Sequence, residues 1–312
     1  MRNSFANTVI ELADSFPELV LLAGDIGNRL FDKFKEQYPN RFYNCGVAEA
    51  GMTGIAAGLA ASGLRPITYT ITPFNTARCL EQIRLDVCYP NLPVIFVGTG
   101  SGLSYANLGT THHSMEDIGF LRLLPNMNVV CPADSVEVEL ALEDAFRLSA
   151  PTYIRLGKKG EPLVHTKKPG FQIGKGLSMR EGKDVVLLSI GNMLPVALEC
   201  ADSLEEQNVS AKVISFHTVK PLDTELLRNL FSYYPVLCVL EEHGVAGGCG
   251  SAILEWGNQN RIDLRKLYCF GGPDRFLTAC GNQEEARQEI GLTTENIIEK
   301  ITLLLKNHDS WT

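Results

Sequence analysis

Four groups of residues have types and spacings that could do chemistry. The first is Glu49, which opens a run of mostly small residues, Gly46-Val-Ala-Glu49-Ala-Gly-Met-Thr-Gly-Ile-Ala-Ala-Gly-Leu-Ala-Ala-Ser-Gly63. An acidic residue in a first helical turn is favoured by the helix dipole. Buried against a heterocycle, the same carboxyl would hold its proton more tightly and share it near neutral pH. The second is His112-His113, in the stretch Gly98-Thr-Gly-Ser-Gly-Leu-Ser-Tyr-Ala-Asn-Leu-Gly-Thr-Thr-His112-His113-Ser-Met-Glu116-Asp117. Neighbouring residues do not face the same way on a strand or helix, and no third ligand is close, which argues against a metal pair. A loop imidazole can cap backbone groups, or donate to a sugar hydroxyl or alkoxide. The third is Phe74 with Arg78, where the ring either fills the core or offers a stacking face. The fourth is Arg155 and Lys158, which either meet solvent or hold an anion, Arg bidentately and Lys as a point charge.

These residues need elements to position them. Apolar runs at 18–23, 66–71, 92–99, 127–133 and 151–157 read as strands, with helices at 49–62, 75–89 and 135–148 between them. The N-terminal MRNSFANTVIELADSF reads as an amphipathic helix rather than a signal or transit peptide. A second set follows: strands at 184–191, 210–216 and 235–242, and helices at 193–207, 223–233 and about 294–306. Strands alternating with helices imply βαβ units. The expected fold is α/β, in two domains, each a mostly parallel sheet flanked by helices. The boundaries are set at 1–157 and 183–312. Residues 158–182, rich in Gly, Pro and Lys, read as a linker with one short strand. His112 and its loop follow a strand end, where α/β sheets bind ligands.

Composition narrows the classes. The 312 residues suffice for two domains, and 45% apolar with 21% charged residues is ordinary for a globular chain. The net charge of −8 and the lack of any basic run argue against nucleic-acid binding. Nine cysteines, none at C-x-x-C spacing, argue against a zinc site and a disulfide framework; Cys280 is among them. They read as small buried hydrophobes in a reducing compartment. No apolar run approaches the ~18 residues that span a bilayer. The expectation is a soluble cytoplasmic protein.

The string GVAEAGMTGIAAGLAASG closely resembles the signature of the thiamine-diphosphate family that holds transketolase, deoxyxylulose phosphate synthase and the β subunits of 2-oxoacid dehydrogenases. The resemblance covers about residues 1–305 and implies a pyrimidine-binding domain followed by a transketolase C-terminal-like domain. It places Glu49 on the carboxylate that hydrogen-bonds the aminopyrimidine and activates the cofactor. It places His112 on the first His of the family's G-P-T-H-Q stretch, which lines the active site and contacts substrate oxygens, with His113 beside it where Gln is common. Counted back from Glu81-Gln82-Ile-Arg84, the family's stacking Phe falls on Asn75, one residue after Phe74; Phe74 is the candidate, with Arg78 near the cofactor. Asp25 and Ile26, in Gly24-Asp25-Ile26-Gly27, match the pyrimidine domain's first loop and are expected to line the cofactor site. Arg155 and Lys158 lie where the family places basic residues near a substrate phosphate. Gly100 and Leu108 depart from the family, standing where transketolases carry a His and an Asp that help define the sugar. The Gly-rich turn after Leu240-Glu-Glu-His243 is read as a tight strand-to-helix connection and His243 as structural.

The chain has no G-D-G motif of the kind that holds the diphosphate through a metal. The resemblance therefore implies a separate N-terminal transketolase-like subunit that binds the diphosphate with Mg²⁺ or Ca²⁺, and an α₂β₂ assembly. The expected activity is transfer of a two-carbon ketol unit between a ketose and an aldose, with phosphorylated or otherwise anionic sugars. The alternatives are a β-type subunit of a decarboxylating relative and a catalytically idle scaffold.

Overall fold

The computed structural model describes residues 1–278 and 281–308, so Cys280 lies outside the described residues. In chain order the first half runs α1 (Arg2–Ser15), β1 (Leu19–Ala23), α2 (Asp32–Gln37), β2 (Phe42–Asn44), α3 (Glu49–Ala61), β3 (Arg65–Ile71), α4 (Thr72–Asn75), α5 (Leu80–Gln82), β4 (Ile95–Thr99), α6 (Asp117–Arg122), β5 (Asn128–Val130), α7 (Ser135–Arg147) and β6 (Thr152–Arg155). The second runs β7 (Leu177–Arg180), β8 (Val185–Ile190), α8 (Leu194–Glu206), β9 (Ala211–Ser215), β10 (Thr218–Lys220), α9 (Thr224–Tyr233), β11 (Val236–Gly244), α10 (Cys249–Gln259), β12 (Leu267–Gly272), α11 (Gln283–Glu289) and α12 (Thr294–His308).

Two sheets result. The first has seven strands in the order β10-β5-β6-β4-β3-β1-β2, and the second has five in the order β12-β11-β8-β9-β7. Pairing is parallel throughout except at β10–β5 and β7–β9. Strands β1, β4, β6 and β8 are buried at every position, because helices cover both faces of the sheets. On one face of the first sheet, Phe5 and Val9 of α1 and Val138 and Leu142 of α7 pack on Leu21, Ile67 and Val97. On the other, Met52 and Ala56 of α3 begin a core that continues unbroken to Leu188, Leu237 and Ile253 of the second sheet and its helices. Leu194, Leu204, Ile297 and Ile301 close the outer face of the second sheet.

Strands β2 and β12 stand where no strand was expected, and two further features depart from the strand–helix reading. Strand β10, from the second half of the chain, pairs antiparallel with β5 at the edge of the first sheet. Three residues are too few to show a period. The expected helix at 75–89 is broken into α4, a 3₁₀ turn at Ala77–Cys79, α5 and a π-helical stretch at Ile83–Cys88. The buried Asn75 side chain explains the first break, since it donates to Val97 O at 3.1 Å and ties the chain to β4. β7 falls in the stretch read as linker and joins the second sheet.

Candidate active site

Glu49 is the first residue of α3 and is 2% exposed. Its Oε2 accepts a 2.8 Å hydrogen bond from Arg78, whose side chain is 45% exposed. The Arg78 guanidinium also lies 4.3 Å from the centre of the Phe74 ring. The Phe74 ring meets His112 edge-on at 5.3 Å, and His112 meets Tyr105 edge-on at 5.8 Å. Lys158 Nζ stands 4.4 Å from the Tyr105 ring centre. Glu49, Arg78, Phe74, His112 and Lys158 thus form one continuous line, joined through Tyr105. They come from segments that follow β2, β3, β4 and β6, so the line crosses the carboxyl ends of the parallel strands.

Burial separates Phe74 from Asn75. Asn75 is fully buried, bonding the Thr68 hydroxyl and donating to Val97 O, whereas Phe74 keeps a half-exposed ring toward Arg78 and His112. Asp25 and Asn44 pair reciprocally, Asp25 N to Asn44 Oδ1 at 3.2 Å and Asn44 Nδ2 to Asp25 Oδ1 at 3.0 Å. Asp25 has φ +54, and Gly24 before it would place a Cβ only 3.4 Å from Glu49 Cγ. The Asp25 loop is therefore seated against Glu49. Ile26 packs half-buried on the core beneath that loop.

The tandem histidines separate. His112 is half-exposed beside Phe74, with Nδ1 2.9 Å from Thr111 Oγ1. Burial, and then His113 next to it, hold its pKa below the ordinary imidazole value, which favours the neutral ring. His113 is 7% exposed and its Nε2 bonds Ala106 O at 3.2 Å. It lines a cavity of about 1040 Å³ shared with Met115, Glu116 and Val245, apart from Phe74 and Glu49.

Arg155 does not join the line. It is 5% exposed, and its guanidinium is committed to Asp117 at 2.8 and 3.2 Å, Ser114 O at 2.9 Å and Glu242 O at 3.0 Å. Burial alone would raise the Asp117 carboxyl, but Arg155 beside it brings it below its usual range. The expected anion contact at Arg155 is corrected on this ground, because a bound anion would have to displace a buried carboxylate. Strand position alone could not reveal this, since Asp117 arrives from a helix 38 residues earlier. The Gly-rich turn before α10 is likewise filled from within. Glu241 accepts from Cys249 N at 2.7 Å and Gly250 N at 3.0 Å, leaving those two amides no room for a phosphate. His243 is buried, accepting from Gly119 N at 3.3 Å and donating to Gly244 O at 2.8 Å.

Sequence reasoning missed Tyr105, Asn44, Gly24 and Thr70. Thr70 Oγ1 is buried without a hydrogen-bond partner and sits beside Gly24. The positive φ at Gly100 has a sequence trace in Gly98-Thr-Gly-Ser-Gly102, but the ring that lies over it does not. Among the described residues, no group of three or more His, Cys, Asp or Glu is placed to hold a metal ion, and no helix is long and apolar enough to cross a membrane.

Residues 1–161 match the family described as "Transketolase, pyrimidine binding domain", and residues 174–297 match "Transketolase, C-terminal domain". A "Putative transketolase C-terminal section" of Methanocaldococcus jannaschii is 32% identical over 96% of this chain and 95% of its own length. The "6-deoxy-6-sulfo-D-fructose transketolase subunit SqwH" of a Clostridium species is 34% identical over 96% of this chain and 92% of its own. A 1-deoxy-D-xylulose-5-phosphate synthase of Desulfotalea psychrophila is 34% identical over 98% of this chain, which spans only 48% of that enzyme. A solved structure titled "Split gene transketolase, inactive beta4 tetramer" superimposes with a TM-score of 0.89 at 32% identity, covering 98% of both chains.

Proposed function

The chain belongs to the transketolase family, and we propose that it is the pyrimidine-side subunit of a two-component, thiamine-diphosphate-dependent transketolase. The carrying observation is the Glu49–Arg78–Phe74 cluster. A flat, nitrogen-bearing cation already bonds the buried carboxylate and lies on the aromatic ring. An aminopyrimidine makes the same two demands, a carboxyl partner for a ring nitrogen and an aromatic face, so these residues fit that half of the cofactor.

Thiamine diphosphate, when bound, supplies the nucleophilic carbon on which ketol transfer depends. Glu49 would hold the pyrimidine and keep a shared proton at its carboxyl oxygen. Phe74 would stack on the ring, and Arg78 with the Asp25–Ile26 loop would border it. His112, kept neutral, would donate to a sugar hydroxyl, and Lys158 would hold the anionic end. His113, as second histidine of the stretch, would act through the backbone of its loop.

Relatives of matching length are described as a transketolase C-terminal section and a transketolase subunit, which supports a partner subunit and oligomeric assembly. The partner would carry the diphosphate-binding domain with Mg²⁺ or Ca²⁺, in an α₂β₂ complex. The likeness to the synthase favours a decarboxylating second reading. The reconstituted pair should transfer a ketol unit from a ketose donor without releasing CO₂. CO₂ release from a 2-oxoacid at a comparable rate would move the assignment to the second reading. Absence of calorimetric thiamine diphosphate binding by the assembled pair would refute both.

A further inference from the structure

We propose that Tyr105 is a positioning residue that fixes Lys158, and with it the place of the sugar's distal anion. The inference rests on the ketol-transfer reading and adds the residue that sets where the charged end must lie. Tyr105 follows β4, and its ring is pressed onto the backbone at the strand's exit. Gly100 there has φ +72, and a Cβ on it would fall 1.9 Å from Tyr105 Cε2 and 2.2 Å from Cδ2. Any side chain at position 100 would expel the ring, so Gly100 and Tyr105 act as one unit. The sequence showed only a histidine-to-glycine departure at position 100; the structure shows what fills the space.

The ring joins two loops that follow different strands. His112 meets it edge-on at 5.8 Å from the β4 side, and Lys158 Nζ lies 4.4 Å from its centre on the β6 side. Lys158 is half-buried and makes no ion pair among the described residues. A π face orients an ammonium without neutralising its charge or consuming its N–H donors. The lysine is thus ordered before an anion arrives, and its donors stay free. Had a carboxylate held it instead, the anion would have to compete. The line from Glu49 through Phe74 and His112 to Lys158 then reads as a ruler. One end holds the cofactor's pyrimidine, and the other receives a phosphate or sulfonate.

The test uses the complex reconstituted with its partner subunit, with xylulose 5-phosphate or fructose 6-phosphate as anionic donor and L-erythrulose as uncharged donor. Tyr105→Ala is expected to raise KM for the anionic donor about 5–10-fold more than KM for L-erythrulose, with the kcat ratio of the two donors held within about twofold. Tyr105→Phe keeps the ring and is expected to restore the anionic donor's KM. Tyr105→Ala combined with Lys158→Ala should be no worse than Lys158→Ala alone, because the tyrosine acts through the lysine. Equal KM increases for both donors, a fall in kcat alone, or additive losses in the double variant would overturn the assignment while leaving ketol transfer intact. If Tyr105→Ala fails to assemble, Tyr105→Leu provides the same comparison without the π face. No transfer from any donor by the wild-type complex would overturn the ketol-transfer reading, and this inference with it.

Discussion

Two carboxylate–arginine pairs with a buried carboxylate stand among the described residues of the chain's first half, and their surroundings give them opposite uses. In Glu49–Arg78 the carboxylate is buried but the arginine side chain is 45% exposed, and a single hydrogen bond joins them. In Asp117–Arg155 both partners are almost wholly buried, Tyr153 adds a 2.5 Å hydrogen bond to the same carboxylate, and Arg155 Nη2 also donates to the backbone carbonyls of Ser114 and Glu242. An exposed pair exchanges partners at little cost, while a buried one is expensive to open. The first can therefore give its carboxylate to a ligand. The second locks the loop before α6 to the carboxyl end of β6 and, through Glu242 O, to the second sheet. The lesson is that the residue types of a pair do not reveal its role; the fate of the arginine does.

The comparison can be broken most sharply at Glu49. Glu49→Ala is expected to lower kcat of the reconstituted complex by about 10³-fold or more while its thermal melting stays close to wild type. Preserved turnover would sink the division, since the open pair would then be structural as well. At the closed pair the reverse is expected. Asp117→Ala strands a buried guanidinium and should cost about 3–5 kcal/mol of stability, seen as a lower denaturation midpoint in the isolated chain. A melting curve unchanged by that substitution would show that the pair is not closed in solution.

Glu241 supplies an intermediate case, a buried carboxyl held by amides rather than by an arginine. Burial pushes it up to about 7, although two backbone donors and Arg155 work against the rise. A folded-state value above the ordinary carboxyl range means its stabilising contribution is complete below about pH 4.5 and is lost as pH rises through about 7. Stability should fall by on the order of 1 kcal/mol per pH unit between about pH 4.5 and 7, read as a falling melting temperature that levels off above pH 7, and Glu241→Gln should flatten that slope. An unaltered slope in the variant would assign it to another group, of which Glu137, also raised to about 7 by burial, is the first to examine. The smallest effect belongs to Arg78. Its replacement by Ala should change stability by no more than about 1 kcal/mol, because its side chain already meets solvent. A larger loss by calorimetry would place the open pair with the closed one.

Much of this was legible in the residues. The alternation of apolar runs with helical stretches led to two α/β units, and the first sheet follows it at β1, β3, β4, β5 and β6. The small-residue string around Glu49 and the Gly-Thr-Thr-His112 stretch singled out two groups on the candidate line. Other features were not legible, for identifiable reasons. β10 and β2 are each three residues long, too short to carry a periodicity. Arg155 and Lys158 lie three residues apart and looked equivalent, yet the strand still buries Arg155 against Asp117 while Lys158, beyond its end, reaches Tyr105.

By itself the sequence determined the family, the two-unit α/β architecture and the candidate for the activating carboxylate. Those depend on local patterns, such as hydrophobic period, helix-start chemistry and contiguous motifs, which a chain carries in one dimension. Only the tertiary structure decided that Asn75 turns into the core while Phe74 meets Arg78 and His112, that the two histidines part company, and that Arg155 is spent on Asp117. It also showed that Tyr105 lies over Gly100 beneath Lys158. Each of those depends on which partner burial leaves available, and burial is decided by strands and loops far apart in sequence meeting at one sheet edge.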